Sequence, residues 1–541
     1  MDASASLETH GQDRHQHEGE HPPSHGSGAA GEHHELGWWR KYIFSTDHKV
    51  IGIQYGLCGL VFLFFGFSLM MLMRWQLAYP GQALPVLGKW LPYVFGPNTM
   101  PDGKMTSEFY NSLGAMHGTI MIFMGVVPVA FAAFGNFVVP LQIGAPDMTF
   151  PKVNAASFWA FGVGGLIMLV SFFVPGGAAK SGWTSYTPLA AIADKGEAYH
   201  PFFNGTTLWL VGFIFLISSS LLGAINFITT IIQLRAKGLT WMRLPFFVWT
   251  QFVTAFLLLL AFPPLEAAIV MQIMDRVAST SFFLPTGLVV NGAALHISGG
   301  GSPILWQHLF WFLGHPEVYV LILPAFGIGG LTGIPLAFNS ADLYLHDTYY
   351  VIAHFHYIVA PGTIFGLFAG IYYWFPKATG RTMNEFWGKV HFWPSLICMN
   401  VIFLPMFLQG MLGMHRRWYD GGQGWTLSGE HIWGLSGFQW NSPISWAAWI
   451  MGLAQIPFII NFFWSIKHGK KVNDNPWEAT TLEWTAPSPP PHGNFVVTPV
   501  AYRGPYEYSL PGRERDFTMQ NEPVEATERT RRKTAEPVLV G

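Results

Sequence analysis

The sequence predicts an all-α protein that crosses a membrane many times. Of its 541 residues, 50% are hydrophobic and only 11% are charged, whereas soluble domains carry about 25% charged residues. Nine apolar stretches are each long enough to cross a hydrocarbon core of about 30 Å. They lie near residues 51–73, 113–140, 153–175, 206–234, 246–273, 304–328, 349–375, 391–413 and 443–466.

Charge and cysteine content narrow the function classes. The net charge of −2 lacks the basic excess that binding to nucleic-acid phosphates requires. Two cysteines, Cys58 and Cys398, stand against 21 histidines. No cysteine motif for zinc, an iron–sulfur cluster or a copper–thiolate centre is present, so imidazole is the metal ligand that this chain offers.

The two ends of the chain differ from its apolar centre, residues 41–470. Residues 1–40 are hydrophilic, contain seven histidines and lack the apolar core of a signal peptide. We expect a disordered cytoplasmic tail there, with binding of stray metal as the alternative. Residues 471–541 are predicted to form a Pro-rich and charged cytoplasmic tail that is disordered after Arg513.

Positively charged loops predict the orientation, because cytoplasmic loops carry excess Lys and Arg. The N-terminus, the loop after the fourth span and the segments after the 349–375 and 443–466 spans are rich in these residues. Starting inside, six spans bring the chain back inside at Ile328. The 349–375 span must nevertheless begin outside for Lys377 to end inside. An odd number of crossings is therefore missing in between.

The start of the seventh span is the strongest sign of a redox cofactor. Residues 346–357 read HDTYYVIAHFHY. His354 and His356 point about 200° apart on a helix, so they can serve two different metals but cannot share one. Imidazole inside an apolar span usually marks a functional site, and it is the usual axial ligand of haem iron. Two hydrogen-bonded structural histidines are the alternative.

His117 lies near the start of the second span, in the sequence GAMHGT. Its small neighbours are expected to leave room for a large flat ligand. Together with His356 it would form a bis-imidazole pair, which is the coordination of a low-spin, electron-transferring haem, and His354 would hold a second haem from the other face. Taken alone, His117 is equally typical of a buried structural histidine.

The segment GHPEVY at residues 314–319 is a second dense group of functional side chains. His315 and Tyr319 share a helix face, while Glu317 points away from both. A phenol beside a metal-bound imidazole can supply a proton and an electron to a bound oxidant, and an acid inside the membrane suits proton relay. A proline-kinked helix with satisfied polar groups is the alternative.

Polar residues in and after the second span predict a route for protons. Asp147 lies in the predicted cytoplasmic loop, in the sequence GAPDM. Further side chains able to hold a file of water towards Glu317 are Asn136, Asn154, Ser219 and Ser220. Single polar residues of this kind are also typical of interhelical hydrogen bonds. Glu266 is a further acid within a span, and the sequence identifies no partner for it.

Two adjacent arginines mark the predicted outer end of the eighth span. Arg416 and Arg417 lie where guanidinium groups can bind haem propionates. A positive anchor at the membrane surface is the alternative.

With these residues in view, the chain resembles subunit I of the haem–copper cytochrome c oxidases, of the type that carries GHPEVY. The resemblance runs from about Ser45 to Phe495 and includes the sequences STDHK at 45–49 and GAINF at 223–227. It implies twelve helices, a low-spin haem, and a high-spin haem facing copper, both of the haem a type. It also implies reduction of dioxygen to water with proton pumping, oxidase subunits II and III, cytochrome c or an equivalent donor, and a bacterial inner membrane.

The resemblance implies a role for each candidate metal ligand. His117 and His356 look like the low-spin haem ligands and His354 like the high-spin haem ligand. His315 resembles one copper ligand, with Tyr319 as its covalently linked partner.

The resemblance also implies roles for the remaining candidates. Asp147, the four polar residues of the predicted route and Glu317 resemble the acid-headed proton path. His346 and Asp347 look like a magnesium site. The residues that resemble haem-contacting arginines are Arg74, Arg416 and Arg417.

The chain departs from this family between Ile328 and Gly329. There the family has roughly a hundred further residues, enough for three membrane helices, with a His-His pair that completes the copper site and the Lys and Thr of a second proton path. Copper sites need several nitrogen ligands, so His315 alone cannot form one.

Two explanations of this departure are open. The sequence omits a segment of the working oxidase, or the protein is a membrane haem protein that passes electrons without a complete copper site. A proton-coupled transporter is a third possible function, but it explains neither the His354 and His356 pair nor GHPEVY. We expect the omission, because a direct link would place extended backbone at membrane depth. A structure should therefore show a break or an unresolved jump between Ile328 and Gly329, or contain the absent helices under other numbering.

Overall fold

A computed structural model describes residues 37–192, 200–290, 292–294, 299–322, 328–423, 431 and 433–525, without the side chains of 316–322, 328 and 329. The chain divides into two units, Met1–Phe44 and Ser45–Gly541. The described part of the first unit contains the short helix α1 (Trp38–Tyr42). Residues 1–36 of the predicted N-terminal tail lie outside the described residues.

The second unit is a bundle of α-helices. In chain order they are α2 (His48–Ala78), α3 (Leu87–Phe95), α4 (Ser107–Thr119), α5 (Phe134–Ile143), α6 (Pro151–Val170), α7 (Gly205–Gln233), α8 (Phe246–Val277), α9 (Pro303–Ile322), α10 (Ile328–Ala337), α11 (Asn339–Leu345), α12 (Tyr349–Ile358), α13 (Phe365–Thr379), α14 (Glu385–Met411), α15 (Asn441–Leu453) and α16 (Gln455–His468).

Shorter elements connect these helices. Three π-helical segments continue α4 into α5 and α12 into α13, and they are Ile120–Val126, Pro128–Ala133 and Val359–Ile364. The 3₁₀ helices are Pro101–Gly103, Trp241–Arg243 and Leu482–Thr485. Two antiparallel strand pairs join β1 (Val289–Val290) to β2 (Ala293–Ala294) and β3 (Arg381–Thr382) to β4 (Lys470–Lys471).

The predicted all-α, multi-span fold is confirmed. Within the described residues, eight helical stretches are long and apolar enough to cross a membrane: His48–Ala78, Ser107–Ile143, Pro151–Val170, Gly205–Gln233, Phe246–Val277, Tyr349–Thr379, Glu385–Met411 and Asn441–His468. Each overlaps one predicted span. The ninth, near 304–328, corresponds to α9.

Local sequence explains where the long helices begin. Side-chain oxygens cap the free backbone N–H groups of a first turn, and Asp, Asn and Thr are preferred there. The carboxylate of Asp47 accepts from the amide of Lys49 at 2.8 Å at the start of α2. Thr348 caps α12 in the same way, accepting from the amide of Tyr350 at 3.2 Å.

Small residues set how closely the helices pack. A Cβ atom added at Gly164 in α6 would lie 2.8 Å from the carbonyl oxygen of Gly212 in α7. The two backbones therefore touch at this crossing, as small residues allow in membrane bundles. Phe213 and Phe262, both fully buried, belong to the core on α7 and α8.

The link between the sixth and seventh predicted spans differs from the prediction. Ile328 and Gly329 lie in one helix, α10, and α11 continues to Leu345. In the described backbone this bond is therefore continuous and helical, not broken, and the direct link is not extended. The omission of a longer segment from the sequence stays a prediction. A helix bonds its own amide and carbonyl groups, which removes the cost that made an extended link improbable at membrane depth.

The C-terminal segment also differs from the prediction. Residues 472–525 contain little regular structure, yet Leu482, Trp484 and Arg503 are fully buried. Beyond Arg513, the amide of Gln520 donates to the carbonyl of Thr480 at 2.8 Å. Disorder after Arg513 is therefore wrong as far as residue 525, because buried contacts and hydrogen bonds hold the segment. Residues 526–541 lie outside the described residues.

Candidate functional site

His117 and His356 come together inside the bundle, from α4 and α12. The two imidazoles lie close enough to interact electrostatically, and Arg74 of α2 acts on both. The Nδ1 atom of His117 lies 2.8 Å from the carbonyl oxygen of Gly66, and that of His356 lies 2.8 Å from the carbonyl oxygen of Ile352. A carbonyl only accepts, so each Nδ1 carries the proton and each Nε2 keeps its lone pair for a metal.

The surroundings of this pair fit a haem. Both histidines are only half-buried although they lie within the bundle. Arg74 is buried, and its Nη1 atom has no hydrogen-bond partner in the described part of the chain. The ring of His356 also stacks on Phe403, with centroids 4.4 Å apart. Two available imidazole nitrogens beside an unpaired guanidinium suit an iron porphyrin that carries anionic or carbonyl substituents.

The glycines beside His117 do not provide the expected room. A Cβ atom at Gly118 would lie 2.9 Å from Trp183, and one at Gly114 would lie 3.2 Å from Met73. These positions admit neighbouring side chains, so the prediction that they make space for a flat ligand is wrong. The histidine pair and Arg74 carry the fit instead.

His354 faces a different side of α12, as its spacing from His356 predicts, but its surroundings do not fit a haem. Its Nδ1 atom lies 3.2 Å from the hydroxyl of Thr332 in α10. A Cβ atom added at the neighbouring Gly333 would lie 2.9 Å from Cε1 and 3.5 Å from Nε2. Helix α10 therefore occupies the space in front of the ring, where a porphyrin bound through Nε2 would have to lie.

Among the described side chains, His315 is the one candidate ligand of the predicted copper site. His315 is exposed on α9, and the side chains of Glu317 and Tyr319 lie outside those that the structure describes. Across the described ranges, no group of three or more His, Cys, Asp or Glu residues could hold a metal ion. The roles of Glu317 and Tyr319 therefore stay predictions.

Three residues of the predicted proton route meet at one internal cavity. Asn136, Ser219 and Ser220 line it, together with Tyr55 and Ser157. The Tyr55 hydroxyl lies 3.1 Å from the Ser157 hydroxyl and 3.0 Å from the Ser219 hydroxyl. The cavity has room for at least one water molecule, and its polar lining can hold it. Tyr55 and Ser157 were not expected from the sequence, where their only signal was polarity within an apolar span.

The route continues towards the loop that contains Asp147. Asn154 is buried one turn before Ser157, whose hydroxyl donates to its carbonyl at 2.7 Å. The Nδ2 atom of Asn154 and the Oδ1 atom of Asn136 are buried, and neither has a partner among the residues described. Buried polar atoms of this kind are usually satisfied by water. Asp147 is half-buried, and its carboxylate accepts from the amide of Met148 at 2.7 Å.

Asn226 fixes the loop after Asp147. Its Oδ1 atom accepts from the amide of Phe150 at 3.0 Å, and its Nδ2 atom donates to the carbonyl of Phe150 at 3.2 Å. The residue belongs to the GAINF sequence, but no role was expected for it from the sequence. Here it ties the loop to α7.

The predicted magnesium site brings together two candidate ligands and an arginine. The Asp347 carboxylate accepts from Nε of Arg416 at 2.7 Å and lies 3.5 Å from Nδ1 of His346. Burial by itself raises the pKa of Asp347, but the charges of Arg416, His346 and Arg417 outweigh burial and hold the pKa below its usual value. His346 and Asp347 offer a metal two ligand groups, and water or another subunit would have to supply the others.

Glu266, for which the sequence identified no partner, has one in the structure. Its carboxylate accepts from the hydroxyl of Ser218 at 3.0 Å, across the contact between α8 and α7. This bond lies outside the cavity that Ser219 and Ser220 line.

These features define a class: a helical membrane protein with a pair of imidazoles inside its bundle that suits a redox cofactor. The family model for cytochrome c and quinol oxidase polypeptide I matches residues 50–328 and 325–454, and the chain belongs to this family. It is therefore the catalytic subunit of an oxygen-reducing terminal oxidase, and the family implies haem and copper cofactors. The transporter alternative is excluded.

Similar proteins agree with this assignment. Cytochrome c oxidase subunit 1 of Synechocystis sp. is 34% identical over 569 residues, which cover 87% of this chain and 93% of that protein. The alternative cytochrome c oxidase subunit 1 of Bradyrhizobium diazoefficiens is 34% identical over 590 residues, covering 91% and 94%. A haem–copper terminal oxidase dimer solved by cryo-EM shares the fold, with a TM-score of 0.56 and 15% identity over 78% of this chain and 84% of that one.

The match to the family divides where α10 begins. Its two parts meet at residues 325–328. The Synechocystis alignment spans 569 positions, but 87% of 541 residues is about 471, so about 98 positions have no residue in this chain. The relatives are therefore longer within the aligned region.

Proposed function

We propose that this chain forms the core of a bacterial cytochrome c oxidase in the inner membrane, with cytochrome c as electron donor, oxidase subunits II and III as partners, and coupled proton pumping. The observation that carries the proposal is the pairing of His117 and His356 beside the buried Arg74. The names of the relatives support cytochrome c over quinol as the donor. Purification of the complex, followed by turnover assays with reduced cytochrome c and with a quinol, tests the choice of donor.

In this proposal His117 and His356 hold a low-spin haem through their Nε2 atoms. A haem bound there would supply one-electron transfer. Gly66 and Ile352 orient the imidazoles through their Nδ1 protons, and Arg74 offers its unpaired guanidinium nitrogen to a haem substituent. The haem is assigned to the haem a type through the likeness to cytochrome c oxidases.

Protons enter at Asp147. They pass the unpaired amide groups of Asn136 and Asn154 to the cavity where Tyr55 and Ser219 meet, and the hydroxyl groups hold the water that carries them onwards. Glu317 is the next proton carrier in this scheme. His346 and Asp347 hold magnesium together with ligands from water or another subunit.

We also propose that the working oxidase contains a further segment between α9 and α10. The divided family match and the alignment positions that lack a residue support a segment of about three membrane helices. Such a segment would restore the missing crossings and displace α10 from His354. The intact mass of the purified subunit and the base sequence between codons 328 and 329 test this proposal directly.

A second function is favoured by one observation if the 541 residues are the whole subunit. Thr332 and Gly333 cover both nitrogens of His354, so this chain has room for the low-spin haem but not for the high-spin one. It would then pass electrons without reducing dioxygen. Haem and copper quantification separates the two functions, because two haems and one copper per subunit indicate the oxidase and one haem without copper indicates the electron carrier.

A further inference from the structure

The C-terminal segment reaches back to the loop that contains Asp147, and Asn494 makes the contact. The side chain of Asn494 is fully buried. Its Nδ2 atom donates to the carbonyl of Ala145 at 2.8 Å, and its Oδ1 atom accepts from Nζ of Lys49 at 2.9 Å. The same oxygen lies 3.0 Å from Nε2 of His48. One amide therefore joins the start of α2 to a residue two positions before Asp147.

His48 connects Asn494 to Asn136, a residue of the predicted proton route. It is fully buried, and its Nδ1 atom lies 2.6 Å from the carbonyl oxygen of Asn136. Asp147 lies near enough to act on its charge. A ring that bonds the Asn136 backbone on one side and Asn494 on the other has a fixed position. His48 therefore bridges Asn494 and the backbone of Asn136.

Asp47 meets two basic side chains beside this contact. Lys49 forms an ion pair with Asp47 at 3.1 Å, and His492, two residues before Asn494, lies 3.3 Å from the same carboxylate. Burial by itself raises the pKa of Asp47. The charges of His48 and Lys49 together outweigh burial, so the pKa of this group lies below its usual value. The C-terminal segment therefore contacts the start of α2 through two residues, His492 and Asn494.

A second part of the same segment closes the loop from the other side. Gly144 has a φ of +74°, and a Cβ atom there would lie 2.7 Å from Cβ of Ala236 and 3.0 Å from Cγ of Pro499. No other residue type fits this turn without strain. The loop from Gly144 to Asp147 is thus held between Pro499, five residues beyond Asn494, and Asn494 itself.

We propose that Asn494 is a positioning residue for proton entry. It holds His48 and the Ala145 carbonyl in place, so that the Asp147 carboxylate faces the opening lined by Asn136. The proposal rests on the proposed role of Asp147 as the head of the proton path. The simpler alternative is that Asn494 only anchors the C-terminal segment and leaves proton uptake unaffected.

The experiment compares four single variants and one double variant of the purified oxidase complex. Asn494→Leu removes all three contacts with little change in size, while Asn494→Asp keeps the oxygen that faces His48 and Lys49 and loses the donation to Ala145. Val496→Ala is the matched control, because Val496 lies in the same segment with 83% of its surface exposed. Asp147→Asn is measured in parallel. The readouts are steady-state turnover, proton uptake in stopped flow, and haem spectra.

We expect Asn494→Leu to slow proton uptake on the order of tenfold with unchanged haem spectra, because a misplaced group at a transfer step has a large effect on rate. Asn494→Asp should lose about two- to threefold, and Val496→Ala should match the parent. The Asn494→Leu/Asp147→Asn double variant should be no slower than Asp147→Asn alone, because residues that act through one step are not additive. If Asn494 only anchored the C-terminal segment, Asn494→Leu would take up protons at the parental rate.

The outcomes separate this inference from the proposed function. A slow Asp147→Asn with a normal Asn494→Leu overturns the role of Asn494 and leaves the proton path intact. A normal Asp147→Asn removes the path itself and the inference with it. If Asn494→Leu does not assemble, Asn494→Asp decides, and parental uptake in that variant overturns the proposal.

Discussion

His354 and His356 are two residues apart on one helix, yet their surroundings differ completely. The Nδ1 atom of His356 bonds a carbonyl of its own helix, and the ring lies near His117 and Arg74. The ring of His354 bonds Thr332 and is covered by the next residue of α10. The His356 site uses one helix from each of the two matched parts, residues 50–328 and 325–454. The surroundings of His354 are instead formed by α10, which begins where the two parts meet. A ligand motif therefore supplies the donor atom, and the neighbouring helix decides whether a cofactor fits.

The largest effect is expected from the removal of His356. We expect His356→Leu to abolish the low-spin haem spectrum, because one imidazole cannot hold a six-coordinate low-spin iron. The measurement is the reduced-minus-oxidised spectrum with haem quantification. The matched control is His391→Gln, since His391 is also buried in a membrane helix but bonds Gln455 at 3.0 Å. Retention of the low-spin spectrum in His356→Leu would contradict the assignment.

The next variant removes His354, whose ring is covered by α10. For the 541-residue chain we expect His354→Leu to leave the haem content unchanged, because α10 occupies the space in front of the ring. The pyridine haemochrome assay on purified protein measures this. Loss of one haem would show that a haem reaches His354 in the 541-residue chain and that α10 does not lie in front of the ring.

A third variant tests whether Asp147 belongs to a working proton route. Asp147→Asn should slow turnover by about tenfold or more, as expected when a proton-transferring group is removed, with both the haem content and the spectra unchanged. Asp102→Asn is the control, because Asp102 is an exposed acid in the Pro101–Gly103 turn. Unaltered turnover and proton uptake in Asp147→Asn would remove the residue from the mechanism.

The smallest expected effect concerns Glu483, which fixes the C-terminal segment. Burial raises the pKa of this carboxyl above its usual value, although Gln142 donates to it at 2.9 Å and Lys377 lies nearby. The folded state therefore holds this proton more tightly than the unfolded chain. The stability that the proton contributes is present below the usual carboxyl pKa and is lost as the pH rises through the folded pKa.

Glu483→Gln should remove that pH dependence. Limited proteolysis of the C-terminal segment measures it, in a series that starts near the usual carboxyl pKa and rises to about pH 8. We expect cleavage to increase with pH in the parent and to change less in the variant. Equal slopes would show that Glu483 keeps the same protonation state throughout.

Hydropathy and single motifs predicted a large part of this molecule. The nine spans follow from composition alone, because a membrane helix must be apolar over its full length. The pairing of His117 with His356 was expected from their residue type and depth. Asn136, Ser219 and Ser220 were expected to lie on one route, and they do line one cavity.

Long-range packing is what the sequence could not reveal. Residues 329–345 looked irregular because of Pro335 and Asn339, yet a helix forms there against α12. The C-terminal segment was predicted to be a tail, disordered after Arg513, but Trp484 is buried and donates to the hydroxyl of Tyr373, 111 residues earlier in the chain. Tyr55 was missed because a single polar residue in an apolar span has no pattern that identifies its partner.

The π-helical segments between His117 and Asn136 have a consequence for how this protein tolerates insertions and deletions. A π turn holds more residues than an α turn, and each residue added to or removed from a helix rotates everything beyond it by about 100°. A one-residue deletion within Ile120–Val126 would leave the hydropathy of this span almost unchanged. It would nevertheless turn the haem-ligand face and the proton-route face of one helix away from each other. The length of this connection, and not only its composition, is therefore under constraint.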